Sequence, residues 1–226
     1  MGKPGYPVRK LLAIMPGAGF LRRTRVFSEV SRRLFPQGAQ NSQSSAEYLR
    51  KQRLIAGGET DYERWTNGVS LDPAWNGRAQ CVARQVEAGS VVLDLGAGDM
   101  AIERFLPPEC TYIPCDLTAR DSRTIVCDFN RGEFPKLETI SVVTALGVLE
   151  YIYDARRFLV ALAGYRAKIL LTYSPTDFTP VPKRIYHGWV NSFSQKELAR
   201  EAEMAGLRVK SIQQIDQRQV LVSALA

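Results

Sequence analysis

Short apolar segments alternate with amphipathic ones along the chain from about residue 60 onward. Seven segments have the length and apolar character of buried strands, and they lie at 90–94, 111–115, 123–127, 140–146, 167–173, 207–215 and 218–225. Helical patterns separate several of them, at 76–87, 154–162 and 196–205. Parallel strands need helical crossovers, so this alternation predicts an α/β fold with a mainly parallel seven-stranded sheet and helices on both faces. Only Gln214–Gln217 separates the last two strands, which predicts a C-terminal antiparallel hairpin.

The first 60 residues differ from the rest in pattern and in charge. They carry 11 Lys and Arg against 3 Asp and Glu, whereas residues 61–226 carry 19 against 20. Phe20–Phe35 is amphipathic at helical spacing, and a second basic helix is predicted at 46–56. We therefore predict a basic N-terminal extension over 1–60, with one or two helices, and an α/β domain over 61–226. The first helix either packs on that domain or lies on an anionic membrane surface, a partner favoured over nucleic acid.

Cysteine and histidine usage predicts no metal site. The four cysteines stand at 81, 110, 115 and 127 without a Cys-x-x-Cys pair, and the single histidine is His187. Free thiols are typical of a reducing cytosol. No apolar run approaches the ~20 residues of a membrane-spanning helix, and no signal peptide is evident. The expected location is cytoplasmic, with peripheral membrane contact through the N-terminus as an open alternative.

The strand at 90–94 leads into a glycine-rich turn, Gly96-Ala97-Gly98. Glycines let the backbone turn sharply and approach a ligand that a Cβ would push away. Asp94 precedes the glycines and Asp99 follows them, so carboxylates stand where the pyrophosphate of NAD would be repelled. The turn favours a cationic ligand, such as one with a sulfonium and an amino group.

This segment resembles motif I of the class I S-adenosylmethionine-dependent methyltransferases. The usual motif is an acidic residue followed by three alternating glycines, and Met100 replaces the last of them here. The resemblance covers about 75–225. It implies a Rossmann-like sheet and S-adenosylmethionine as the cofactor.

Further positions match the family in the expected order. Asp116 ends the second strand, where the family's acidic residue accepts hydrogen bonds from the ribose hydroxyls. Asp128 follows the third strand, where the family contacts the adenine amino group, and its neighbour Phe129 would pack on the ring. Leu146, in the fourth strand, matches the methionine end of the cofactor. The cofactor-binding residues implied by the resemblance are Asp94, Gly96, Gly98, Asp116, Asp128, Phe129 and Leu146.

Candidate catalytic residues follow the fourth and fifth strands, because ligands bind at the carboxyl ends of the strands in this sheet type. Glu150 and Tyr151 follow the fourth strand. Ser174–Asn191 is long enough for a loop that closes over the acceptor, and it holds His187, the natural proton acceptor near neutral pH. We predict that the acceptor lies near His187, Tyr151 and Glu150.

The leading hypothesis is methyl transfer to a small-molecule, sugar or lipid-linked acceptor, at oxygen. One alternative is an RNA methyltransferase, which the basic N-terminus favours, although no RNA-binding module accompanies the domain. Another is an inactive methyltransferase-fold binding protein. Met100 favours that alternative, whereas the intact Asp94, Asp116 and Asp128 argue against it.

Overall fold

The computed structural model describes residues 42–67 and 75–226 of the 226-residue chain. The predicted helix at Phe20–Phe35 lies outside them. The α-helices are α1 (Ser42–Gly57), α2 (Tyr62–Thr66), α3 (Trp75–Ala83), α4 (Ala155–Gly164), α5 (Val181–Tyr186) and α6 (Gln195–Met204). The strands are β1 (Val91–Leu95), β2 (Thr111–Asp116), β3 (Ile125–Val126), β4 (Val142–Leu146), β5 (Lys168–Tyr173), β6 (Arg208–Gln214) and β7 (Val220–Leu225). Over these residues, no helix is both long and apolar enough to cross a membrane.

The seven strands form one sheet in the order β3-β2-β1-β4-β5-β7-β6. The strands from β3 to β5 are parallel, and β7 runs antiparallel to both β5 and β6. The predicted mainly parallel seven-stranded sheet and the C-terminal hairpin are therefore confirmed. The hairpin's second strand, β7, lies inside the sheet, and its first strand, β6, forms the edge.

Two apolar layers cover the sheet, one on each face. On one face Val92 of β1 packs in a cluster with Val82 of α3. On the other, Leu93 of β1 packs in a cluster with Phe158 of α4 and Leu198 of α6. Successive side chains of a strand point to opposite faces, so β1 must be apolar throughout to fill both layers. This requirement explains why the strands appear in the sequence as short apolar runs.

The helices near the site begin at side-chain caps. The Asp154 carboxylate accepts a 2.9 Å hydrogen bond from the backbone N–H of Arg157 at the start of α4. At the start of α6, Ser194 and Glu197 form a capping box, in which each side chain accepts from the other residue's backbone N–H. The connection after β4 therefore ends at the start of α4, and the connection after β5 ends at the start of α6.

The segment just before the predicted domain boundary packs with the sheet domain. Glu47–Ala226 group into one compact unit. Tyr153 donates from its hydroxyl to the carbonyl oxygens of Leu54 (3.2 Å) and Glu59 (3.0 Å). The end of α1 and the turn after it therefore lie against the carboxyl ends of the strands, where the site is.

Candidate active site

A cleft opens at the carboxyl ends of β1 and β4, which are neighbours in the sheet. The chain proceeds from β1 outward through β2 to β3 on one side, and from β4 to β5 on the other. Ligands bind at such a switch point in open α/β sheets. The cleft measures about 1150 Å³ with its open mouth included. Its lining includes Asp94, Gly96, Gly98, Asp116, Asp128, Phe129, Leu146, Glu150 and Tyr151, which the sequence singles out.

The glycine turn is shaped by close backbone approach. Gly96 has a φ of +78°, and a Cβ there would collide with Cγ2 of Val148 in the turn after β4. Gly98 also has a positive φ, of +56°. Met100 adopts the same left-handed φ of +56°, although it is not glycine. That conformation costs a side-chain-bearing residue about 1–2 kcal/mol, which explains why the family's motif has glycine at this position.

Asp94 is a buried carboxylate fixed by the strands on either side of it. Tyr112 of β2 donates to one oxygen at 2.8 Å, and Thr144 of β4 donates to the other at 2.6 Å. Burial raises the pKa of Asp94 to about 6, although these two hydrogen bonds act in the opposite direction. At neutral pH the cleft therefore contains a desolvated negative charge beside the glycine turn.

Asp116 is held by groups from its own loop and from the glycine turn. Its Oδ2 accepts from the backbone N–H of Gly98 at 2.8 Å. Its Oδ1 accepts from Nη2 of Arg120 at 3.0 Å and from the N–H of Thr118 at 3.2 Å. Arg120 also lines the cleft, and its buried Nε has no hydrogen-bond partner among the described residues. Sequence reasoning missed Arg120, and its only signal was its position one helical turn after a strand-end acid.

Asp128 accepts hydrogen bonds from the segment around residue 60. Its carboxylate accepts from the hydroxyls of Thr60 (3.1 Å) and Tyr62 (2.6 Å) and from the N–H of Asn130 (2.9 Å). The bond to Asp128 raises the pKa of Tyr62. Phe129 lines the cleft while its ring stacks on Phe134, with ring centroids 5.4 Å apart. The segment around residue 60 thus covers the corner of the cleft next to β3.

Glu150 is the most buried carboxylate on the other side of the cleft, with 1% of its surface exposed. One oxygen, Oε1, accepts from the backbone N–H of Ser174 at 2.8 Å. The other, Oε2, is buried and has no hydrogen-bond partner among the described residues. Burial raises the pKa of Glu150, and the nearby Arg78 and Arg184 oppose that rise. A lone carboxylate oxygen in a cleft is suited to accept a proton.

Tyr151 links the cleft to an aromatic cluster. Its hydroxyl oxygen accepts from Nη2 of Arg64 at 3.2 Å and from Nε1 of Trp189 at 3.1 Å. The Trp65 ring meets its edge, with centroids 4.8 Å apart. Trp65 and Trp189 both line the cleft. Trp65 precedes Tyr151 in the sequence, and Trp189 follows it. Burial raises the pKa of Tyr151.

Ser174–Asn191 contains α5 and is not the structureless loop that its length indicated. Arg184 of α5 is fully buried, and it donates to the hydroxyl of Tyr173 (2.6 Å) and to the carbonyl oxygens of Ser174 and Asn191. The backbone N–H of Val190 donates to the carbonyl oxygen of Glu150 at 2.8 Å. A buried guanidinium with these partners anchors the segment, which explains the difference from the prediction.

His187 is placed beside the cleft and is not one of the described residues that line it. Its ring packs on Trp189, with centroids 4.9 Å apart, and its carbonyl oxygen accepts from Nη1 of Arg64 at 2.7 Å. Burial lowers the pKa of His187, and the surrounding cations, Arg218 first, lower it further. The structure therefore brings Glu150 and Tyr151 together at the cleft but leaves His187 behind Trp189.

Some cleft residues had little or no signal in the sequence. They are Thr60, Arg78, Arg120 and Gln219, which come from four different parts of the chain. No group of three or more His, Cys, Asp or Glu side chains in the described part of the chain could hold a metal ion.

Comparison with known proteins finds likeness in structure. No protein-family model matches the chain, and no curated protein matches it in sequence. Human N-acetylserotonin methyltransferase in complex with S-adenosylmethionine aligns at 15% identity over 80% of this chain and 66% of its own, with a TM-score of 0.57. An O-methyltransferase from neocarzinostatin biosynthesis aligns at 17% identity over 81% and 69%, with a TM-score of 0.61. The 1,6-didemethyltoxoflavin-N1-methyltransferase of Burkholderia thailandensis aligns at 15% identity over 84% and 92%, with a TM-score of 0.56.

The chain has the class I methyltransferase fold. Its Rossmann-like sheet, with β7 antiparallel between β5 and β6, is shared with these structures. The sequence-based prediction of a class I methyltransferase fold is confirmed. The glycine turn after β1 and the acidic ends of β1 and β2 meet here at one cleft.

Proposed function

We propose that the protein transfers a methyl group from S-adenosylmethionine to a hydroxyl of a small-molecule acceptor. The observation that carries the proposal is the convergence of three buried carboxylates, Asp94, Asp116 and Asp128, on one cleft beside a glycine turn. Their charges favour a cationic cofactor and disfavour a pyrophosphate. Structural neighbours whose names include S-adenosylmethionine or S-adenosylhomocysteine support the same class of cofactor.

The cleft residues fit S-adenosylmethionine from end to end. Asp116 would accept hydrogen bonds from the ribose, while Asp128 and Phe129 would hold the adenine. Asp94 and Leu146 would lie at the methionine end, beside the turn at Gly96. The cofactor, when bound, supplies an activated methyl group on a sulfonium. The protein's tasks are then to align the acceptor and to take up its proton.

Glu150 is the proposed proton acceptor. Glu150 lines the cleft, and its Oε2 is buried and has no hydrogen-bond partner among the described residues. Its raised pKa brings it closer to the pH at which a general base works best. Tyr151 would position the acceptor beside it. His187 packs on Trp189 and does not line the cleft, so the role of proton acceptor is assigned to Glu150.

The small-molecule acceptor is proposed from the site and from the neighbours. Two of the neighbours carry the names of small molecules, N-acetylserotonin and 1,6-didemethyltoxoflavin. Trp65, Tyr151 and Trp189 give the cleft an aromatic end that could pack on a small acceptor. Sugar-linked and lipid-linked acceptors, RNA methylation and an inactive binding protein are separate outcomes of the tests below.

The cofactor is tested by calorimetry with S-adenosylmethionine, S-adenosylhomocysteine and NAD. We expect the first two to bind and NAD not to bind. Asp116→Asn should weaken the binding of S-adenosylhomocysteine by about 1–3 kcal/mol. Asp121→Asn is the matched control, because Asp121 is a nearby acid paired with Arg123 outside the cleft. Binding of NAD alone, or equal affinities in wild type and Asp116→Asn, would contradict the proposal.

The acceptor is sought by incubating the protein with labelled cofactor and either metabolite extracts or RNA. Label recovered in a small molecule supports the proposal, and label recovered in RNA supports the alternative. Cofactor binding without transfer to any fraction would indicate an inactive binding protein.

A further inference from the structure

Arg64 is a half-buried cation beside the aromatic end of the cleft. Its Nη1 donates to the carbonyl oxygen of His187 at 2.7 Å, and its Nη2 donates to the hydroxyl of Tyr151 at 3.2 Å. Both acceptors are neutral. Among residues 42–67 and 75–226, no carboxylate oxygen lies within 4.0 Å of its guanidinium nitrogens. A partly desolvated charge with only neutral partners attracts an anion.

The acids nearest in sequence do not neutralise it. Asp61 pairs with Arg50, with a 2.7 Å contact, and its other role is to cap α2 through the backbone N–H of Arg64. Glu47 pairs with Arg50 and with Lys51. Glu59 and Asp61 both line the same small pocket as Arg64, but the Glu59 side chain is exposed to solvent and Asp61 is the acid paired with Arg50. The Arg64 guanidinium therefore has no carboxylate partner among the described residues; it lies over the rings of Trp65 (4.6 Å) and Tyr151 (5.1 Å) and lines the pocket.

Other cations reinforce Arg64 in this corner. Arg184 is fully buried, and its guanidinium lies 4.7 Å from the ring centroid of Trp189. Burial is the largest cause of the lowered pKa of His187, and Arg218, Arg64, Lys51 and Arg184 lower it further. A cationic acceptor group would be repelled here, and an anionic one would be attracted.

Aromatic side chains lie between the cleft and Arg64. The small pocket lined by Arg64 shares Thr60, Trp65, Asn130 and Tyr151 with the large cleft. Trp65 and Tyr151 thus belong to both. Glu150 lines the cleft, Arg64 lines the small pocket, and Tyr151 borders both. Aromatic side chains pack well on a planar molecule.

We propose that the acceptor is a planar aromatic hydroxy acid, whose anionic group binds Arg64 while its hydroxyl lies at Glu150. The inference rests on the proposed function and narrows its acceptor class. A phosphate or a carboxylate would satisfy Arg64 in the same way, since the guanidinium binds both in bidentate geometry. The commitment here is to a small anion, because the pocket beside Arg64 is much smaller than the cleft.

The test uses three related probes that differ in charge: 4-hydroxybenzoate, its neutral methyl ester, and the cation tyramine. Each is titrated calorimetrically into the full chain saturated with S-adenosylhomocysteine, at about pH 7. We expect the acid to bind at least about tenfold more tightly than the ester, and tyramine to bind most weakly. Arg64→Gln should remove the preference for the acid, and Arg64→Lys should restore part of it.

Arg156→Gln is the control variant, because Arg156 is an exposed arginine of α4 that pairs with Glu201 and lines neither pocket. It should keep the wild-type preference. The wild-type protein alone can overturn the proposal. It would do so by binding acid and ester equally, by preferring tyramine, or by binding none of the probes. So would single-stranded RNA that binds through Arg64 while 4-hydroxybenzoate does not. Failure of S-adenosylhomocysteine to bind would instead refute the proposed function, and this inference with it.

Discussion

Arg120 holds Oδ1 of Asp116 at 3.0 Å, while the glycine turn holds Oδ2 of the same carboxylate through the N–H of Gly98. The acid at the end of β2 is thus oriented by two loops before any ligand contacts it. A ribose would have to share Oδ1 with the guanidinium. Because Arg120 keeps one nitrogen, Nε, without a partner among the described residues, it has hydrogen-bonding capacity left for a ligand.

We predict that Arg120→Met lowers the free energy of unfolding by about 3 kcal/mol, because it leaves the buried Asp116 carboxylate without its cation. Arg123→Met is the control. Arg123 pairs with Glu103 and Asp121 at the exposed surface, so its loss should cost less than about 1 kcal/mol. Urea unfolding of the three proteins provides the comparison. Equal losses for the two variants would mean that the Asp116 pair contributes no more than a surface pair.

Affinity for S-adenosylmethionine should decrease as the pH falls through about 6, the pKa to which burial raises Asp94. Protonation removes the negative charge that attracts the cationic cofactor. From pH 7 to pH 5 we expect a loss of about tenfold, measured by calorimetry. Asp94→Asn should bind weakly at both values and show no such change. A pH-independent wild-type affinity would exclude Asp94 from cofactor binding.

The stability of the free protein should respond to Asp94 in the opposite direction. Its folded pKa of about 6 lies above the ordinary 3.8, so the folded state holds the proton more tightly than the unfolded state. Its contribution to the unfolding free energy is therefore greatest at the acid end and is lost as the pH rises from about 4 to 6. The change amounts to ~3 kcal/mol. It should appear in the difference between wild type and Asp94→Asn.

Glu150→Gln should lower kcat by about 100-fold or more and leave the affinity for S-adenosylhomocysteine unchanged. In the wild type, kcat should rise with pH through the raised pKa of Glu150, because only the carboxylate accepts a proton. The variant should lack this dependence. Tyr151→Phe is the comparison, since it removes the neighbouring hydroxyl. A larger loss in Tyr151→Phe, with the pH dependence intact in Glu150→Gln, would assign the proton to Tyr151.

Arg184→Met should destabilise the protein by about 3 kcal/mol or more, because it removes the donors to Ser174, Tyr173 and Asn191. Lys183→Met changes the exposed neighbour on α5 and should stay within about 0.5 kcal/mol of wild type. Chemical denaturation measures both. Wild-type stability in Arg184→Met would mean that the segment after β5 is held loosely, as a lid would be.

The parts of the fold that were predicted are those with strong local patterns. The strands are apolar on both faces, so β1 and β5 appear as uninterrupted runs. The helices α2 and α5 were missed because five and six residues are too few to show helical periodicity. The motif around Asp94 was recognisable because its acid and glycines are adjacent in sequence.

The rest of the site depends on contacts between distant parts of the chain. Tyr62 meets Asp128 and Arg64 meets Tyr151 only after the fold brings them together. The prediction for His187 rested on its being the single imidazole, and residue type carries no information on which way a ring faces. Trp189, two residues later, lines the cleft where His187 does not.

β7 lies between β5 and β6, so the sheet can be completed only after β7 has been synthesised. Every other strand leaves the exit tunnel before Val220–Leu225, yet β6 bonds only to β7 among the described strands. Until that last strand emerges, β5 has an open apolar edge, and β6 has no strand to pair with. An unpaired apolar edge is a template for pairing with other chains, so β5 is open to aggregation until β7 is in place.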